Sequence, residues 1–76
     1  MTFDQRLEQI RAARCMTVEE AAEASGASVK QWRKLEGGIH KPNIVTLENI
    51  TRGLSLTPDQ LFYLVTGARP RLGVRR

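Results

Sequence analysis

Apolar residues recur along the chain at three- and four-residue spacing and never alternate with period two, so the pattern predicts helices and no strands. Phe3, Leu7 and Ile10 fall at i, i+4 and i+7, giving a first helix over about Phe3 to Ala13 one apolar stripe; Arg6, Glu8 and Arg14 are left to solvent. Thr17-Val18-Glu19-Glu20 opens a second helix as a capping box: the threonine hydroxyl accepts from the N3 amide and the glutamate reaches back to the threonine amide. This helix runs to about Ala24 and ends near Ser25-Gly26, where glycine permits a sharp turn. Ser28-Val29-Lys30-Gln31 is a second box, opening a helix that stops after Glu36 at Gly37-Gly38. Trp32 and Leu35 supply its buried side, and at about 100° per residue Lys30, Arg33 and Lys34 point the other way. After the loop Ile39 to Pro42, Asn43 caps a fourth helix, Ile44 to Gly53, with Leu47, Ile50 and Leu54 facing inward. Thr57-Pro58-Asp59-Gln60 opens a fifth, with Leu56 and Leu61 spaced as a hydrophobic staple and Gly67 as its stop.

The expected fold is therefore all-α: a compact five-helix bundle. Its 76 residues are enough for one domain, read as residues 1–67, followed by a basic tail over 68–76 expected to be disordered without a partner. Charge sharpens this division. Four arginines, Arg69, Arg71, Arg75 and Arg76, account for the net charge of +4, and the rest of the chain balances eight basic against eight acidic side chains. Any case for nucleic acid must come from where charges sit within the domain. A single cysteine, Cys15, excludes an internal disulfide and a cysteine-rich zinc site, and reads as a reduced cytosolic thiol. No apolar run approaches the roughly 20 residues of a membrane span, and the N-terminus carries charges where a signal peptide is apolar. The expected location is cytoplasmic, nucleoid-associated when bound to DNA, with no membrane partner.

Thr17 to Gly38 is the informative stretch: two short helices, a glycine turn, and Ala22 where the helices must approach closely. With Arg11, Thr17, Ala22, Gly26, Glu36, Gly38 and Pro42 at their spacing, residues 5 to about 66 resemble the phage repressor and Cro (XRE-type) helix-turn-helix family, whose fold is the lambda-repressor-like bundle with helices 2 and 3 as the helix-turn-helix. The resemblance implies that the third helix enters the major groove of double-stranded DNA. Val29, Lys30 and Lys34 would face bases, with Gln31 and Arg33 flanking them. Lysine suits guanine O6 and N7, and valine suits a thymine methyl, so guanine-containing half-sites are expected. Phosphate contacts would come from Thr17, Val18, Asn43 and Thr46 at helix starts, where free amides favour an anion, and from His40 and Lys41 in the loop. Arg11 and Glu36 match a family ion pair tying the first helix to the end of the third. Two positions depart from the family. Val18 stands where a glutamine commonly contacts phosphate, and Cys15 where a glycine or asparagine commonly takes positive φ.

Each sharp reading has a plainer one. Trp32 could stack on a base, but its spacing with Leu35 makes it core. Lys30, Arg33 and Lys34 could be only a solvated face; the flanking motif favours DNA. Glu19, Glu20 and Glu23 are helix-start charges, since no nucleophile, metal ligand or cofactor loop accompanies them. No cofactor, metal site or catalytic residue is expected, and the chain is not read as an enzyme. His40 is the one histidine and Cys15 the one cysteine, too few His and Cys ligands for a metal site. The tail either aids solubility or grips phosphates. Leu61, Phe62, Leu64 and Val65 crowd the fifth helix with more apolar bulk than one core-facing stripe needs, so a homodimer through that helix is expected. The leading function is a dimeric transcriptional regulator, a repressor or controller, on a palindromic operator. The alternative is a protein-interaction module of the same fold, such as an antitoxin or phage-encoded inhibitor.

Overall fold

The computed structural model describes residues 2–39 and 41–68, and all regular structure among them is helical. The elements are α1 (Phe3–Ala13), α2 (Val18–Ala24), α3 (Val29–Glu36), α4 (Ile44–Gly53) and α5 (Pro58–Thr66). His40 and the arginines of the tail lie outside the described residues.

Helix starts follow local chemistry. The Glu20, Gln31 and Gln60 amides donate to Thr17 Oγ1, Ser28 Oγ and Thr57 Oγ1 at 3.1, 3.1 and 3.2 Å. In return the Thr17, Ser28 and Thr57 amides donate to Glu20, Gln31 and Gln60 at 2.8, 3.1 and 2.9 Å. Asn43 Oδ1 accepts from the Thr46 amide at 2.8 Å at the start of α4. The Thr2 amide is likewise held by Gln5 Oε1 at 3.1 Å, a cap that the apolar stripe of α1 did not advertise.

Helix ends need turns of positive φ. Gly26 at +71° reverses the chain between α2 and α3. Cys15 takes φ 58° despite its Cβ, and so adopts the backbone that the resembled family commonly gives to Gly or Asn. Such strain costs about 1–2 kcal/mol. Arg11 braces the turn by donating from Nη1 to the Met16 carbonyl at 2.7 Å.

The core gathers Leu7, Ile10, Ala21, Ala22, Trp32, Leu35, Ile50, Leu54, Leu56 and Leu64. α1 packs on α3 and α5, and α2 packs on α3 and α4. Small residues set the closest approaches. A Cβ on Gly53 would stand 2.4 Å from Ser25 Oγ and 2.8 Å from the Ala24 backbone, so α4 meets the end of α2 almost backbone to backbone.

Four expectations are corrected. Arg6 is buried, not solvated: its Nε donates to the Leu64 carbonyl at 3.0 Å, and its guanidinium lies 6.0 Å from the Tyr63 ring centroid. A cation at the carbonyl end of α5 is favourable to the helix dipole. Arg14 is half-buried and donates to Gln60 Oε1 at 2.6 Å and to the Ser55 carbonyl at 3.2 Å. Leu64 is fully enclosed within the chain, so it is not available to a dimer face. Leu47 is half-buried and lines a groove between α4 and α5 instead of joining the core.

Candidate nucleic-acid interface

α2 and α3 form the unit that positions the site. Trp32 and Leu35 are 0% and 7% exposed, which seals the inner side of α3 against the bundle. That fixes the rotation of the helix. Lys30, Gln31 and Arg33 are exposed, and Val29 and Lys34 are half-buried. Val29 and Val18 both pack against the edge of the core, so each offers DNA only part of its side chain. Lys30 and Lys34 have no acidic partner among the described residues. Arg33 does: its Nη2 lies 3.4 Å from Glu19 Oε2 on α2, an exposed pair. Nothing in the spacing of these two residues announced that contact, because it depends on how α2 and α3 dock.

Glu36 locks the far end of α3. Arg11 Nε and Nη2 reach its two carboxylate oxygens at 2.6 and 3.2 Å. Trp32 Nε1 also donates to Glu36. The hydrogen bond to Glu36 is the main cause that holds the Arg11 guanidinium above its ordinary pKa, against the opposing effect of burial. With side chains only 14% and 11% exposed, the pair sits largely out of water. It joins α1, the buried tryptophan and the end of α3 in one network, so the angle of α3 is not free to drift.

The residues expected to meet phosphate fall into two groups. Thr17 and Val18 stand at the start of α2; Lys41, Asn43 and Thr46 stand at or before the start of α4. The amides of Thr17 and Thr46 are already used in capping bonds. The amides without an intrahelical acceptor are therefore those of the first turns: Val18 and Glu19 in α2, Ile44 and Val45 in α4. Thr17, Lys41 and Asn43 are exposed; His40 lies outside the described residues.

A further surface is apolar. Phe62 and Val65 on α5 are 49% and 47% exposed, and Ile44 and Val45 on α4 are 73% and 61% exposed. Leu61 and Val65 face Ile44 and Leu47 across a groove of about 390 Å3, with Glu48 and Arg52 among its walls.

Two short capped helices, a glycine turn between them and a second helix whose polar face is cationic define a helix-turn-helix. The comparison with protein families agrees: the model of the helix-turn-helix domain matches residues 5–62, and the chain belongs to this family of DNA-binding proteins. A search of the curated proteins returned no match. Among the described residues, no helix is long and apolar enough to cross a membrane.

Proposed function

We propose that the protein is a sequence-specific transcriptional regulator that binds a palindromic operator as a homodimer. α3 lies in the major groove, with Lys30 and Lys34 at base edges, Val29 against a thymine methyl, and Gln31 and Arg33 at the groove walls. Lys41, Asn43 and Thr46 at the head of α4, and Thr17 with the Val18 amide at the head of α2, hold the backbone on either side. Occupancy of a promoter operator by the dimer blocks or recruits polymerase, so the regulator acts as a repressor or a controller.

One observation carries this reading: the cationic side of α3 is open to solvent while Trp32 and Leu35, on its other side, are sealed in the core. The exposed apolar groove between α4 and α5 supports pairing of two copies through Phe62, Val65 and Leu61. A single α3 contacts few base pairs, and two half-sites about one helical turn apart raise affinity and set the symmetry of the operator.

The test is selection from random-sequence duplexes with sequencing of the bound fraction. An enriched inverted repeat is the expected result. Lys30→Ala should relax the preference at one position of each half-site, a change of about 1–3 kcal/mol in discrimination. Lys41→Ala should weaken all sequences alike and lower the salt slope by about 1. Enrichment of no sequence by the wild-type chain would overturn the reading, and capture of a protein instead of a duplex would favour the interaction module.

A further inference from the structure

The net charge of the chain is carried by residues 69–76, and the fold decides where that segment starts. Residues 1–68 balance eight basic against eight acidic side chains, while the last eight residues hold four arginines and no acid. Two separate sets of contacts fix the end of α5. On one side, Arg6 Nε donates to the Leu64 carbonyl at 3.0 Å, and a Cβ on Gly67 would stand 2.9 Å from Arg6 Nη1. The chain therefore leaves α5 against the start of α1. Asp4, in the same turn of α1, faces Gly38 just after α3, where a Cβ would lie 3.4 Å from its carboxylate. On the other side, Val65 shares a groove with Ile44, the first residue of α4. The end of α5, the turn after α3 and the head of α4 thus meet at one edge of the bundle. That edge carries Lys41, Asn43 and the Ile44 and Val45 amides assigned above to phosphate.

We infer that residues 69–76 are a minor-groove arm: in the dimer, the arginines of both copies enter the minor groove between the two half-sites. The inference rests on the dimeric regulator reading above. Val65 belongs to the proposed pairing face and Gly67 stands two residues after it, so both arms start beside the two-fold axis. Two α3 helices in major-groove segments one helical turn apart leave the minor groove facing the protein midway between them. That groove is about 6 Å wide. The eight residues of the arm reach at most about 26–29 Å, enough to enter the groove and follow it. Arginine suits the place, because a narrow A·T-rich minor groove concentrates negative potential and draws in the guanidinium. The arm also gives a body of balanced charge the phosphate-neutralising cations that drive association with a duplex. It would add a preference at central base pairs that α3 never touches.

The experiment titrates the full chain with three duplexes that share the selected half-sites and differ only at the central base pairs: A·T, G·C or inosine·C. An inosine·C pair keeps the major-groove edge of G·C but lacks the guanine amino group, so its minor-groove edge is that of A·T. Tighter binding to the A·T and inosine·C centres than to G·C is expected, by about fivefold or more. Arg69→Gln, Arg71→Gln, Arg75→Gln and Arg76→Gln together should abolish that difference and lower the slope of log affinity against log salt by about 3 or more. The half-site preference and the melting temperature of this variant should match the wild type. An unchanged salt slope would place the arm off the duplex and overturn the inference. A lower slope with the centre preference intact also overturns it, because the arm then meets phosphates alone and the preference comes from the bending of the duplex. A wild-type chain that discriminates half-sites but not centres loses the minor-groove arm and keeps the regulator reading. A wild-type chain that discriminates neither loses both.

Discussion

Two glycines near the turn do different jobs, and substitution separates them. At Gly26 a Cβ would meet nothing within 4 Å, so the residue is needed for its backbone at φ +71° and not for space. Gly26→Ala should cost about 1–2 kcal/mol, and Gly26→Asn less, because asparagine tolerates that conformation. Gly53 is the reverse. It ends α4, where alanine is ordinarily better by about 1 kcal/mol, yet its Cβ would press to 2.8 Å on the Ala24 backbone. Gly53→Ala should destabilise by about 1–3 kcal/mol through forced separation of α2 and α4. Denaturant midpoints of the three variants decide the matter; a stabilised Gly53→Ala would mean that α4 does not approach α2 as closely as described. Gly26 was legible in the sequence, since glycine after a capped helix is a turn signal. Gly53 was not: it matters only because Ser25, twenty-eight positions earlier in the chain, lies across from it.

At the scale of elements, Glu36 holds α3 to α1. Glu36→Ala would leave Arg11 and the Trp32 indole without their acceptor, at a cost of about 3–5 kcal/mol for one side of a shielded pair. Glu36→Gln keeps an acceptor for the indole and should cost about half as much. Thermal melts of the two variants measure this, and base preference in whatever folded fraction remains should match the wild type, because the network lies at the opposite end of α3 from Lys30. Unchanged melting of Glu36→Ala would show that the network carries little of the fold. The pair between Glu19 and Arg33 is the contrasting case. Both side chains are more than 60% exposed, and exposed pairs contribute about 0–1 kcal/mol. Glu19→Gln should leave stability unchanged while freeing Arg33 for the duplex, seen as a modest gain in affinity at low salt. Arg11 and Glu36 could be named in advance from the spacing of a resembled family. Glu19 could not, since an exposed glutamate in a first helical turn already has a reason to be there in the helix dipole.

For the whole molecule, the open question is the second copy. Phe62→Glu or Val65→Glu should shift sedimentation toward the monomer at tens of micromolar with little change in the melt, because both side chains already face solvent in the single chain. Leu64→Ala is the control: it removes a fully enclosed side chain and should cost about 2–5 kcal/mol whatever the assembly state. A wild-type chain that is monomeric at those concentrations would remove the α5 dimer. Leu64 also shows where helical periodicity stops. α5 carries large apolar groups on more than one side, and only its docking against α1 decides that Leu64 turns inward while Leu61 and Val65, four apart, share the outer groove with Leu47.

What the sequence determined by itself was everything governed within a few residues: the capped starts of α2 to α5, the turn at Gly26, and the rotation of α3 that turns its lysines away from Trp32 and Leu35. Caps act over three residues and an amphipathic stripe over one or two turns, so neither needs the rest of the chain. Only the tertiary structure decided that Arg6 would be enclosed against the end of α5, and that Leu64 and not Leu47 would complete the core. Those outcomes depend on contacts between helices distant in sequence, such as the 58 positions that separate Arg6 from Leu64. The angle at which helices meet sets them, and no local pattern encodes that angle.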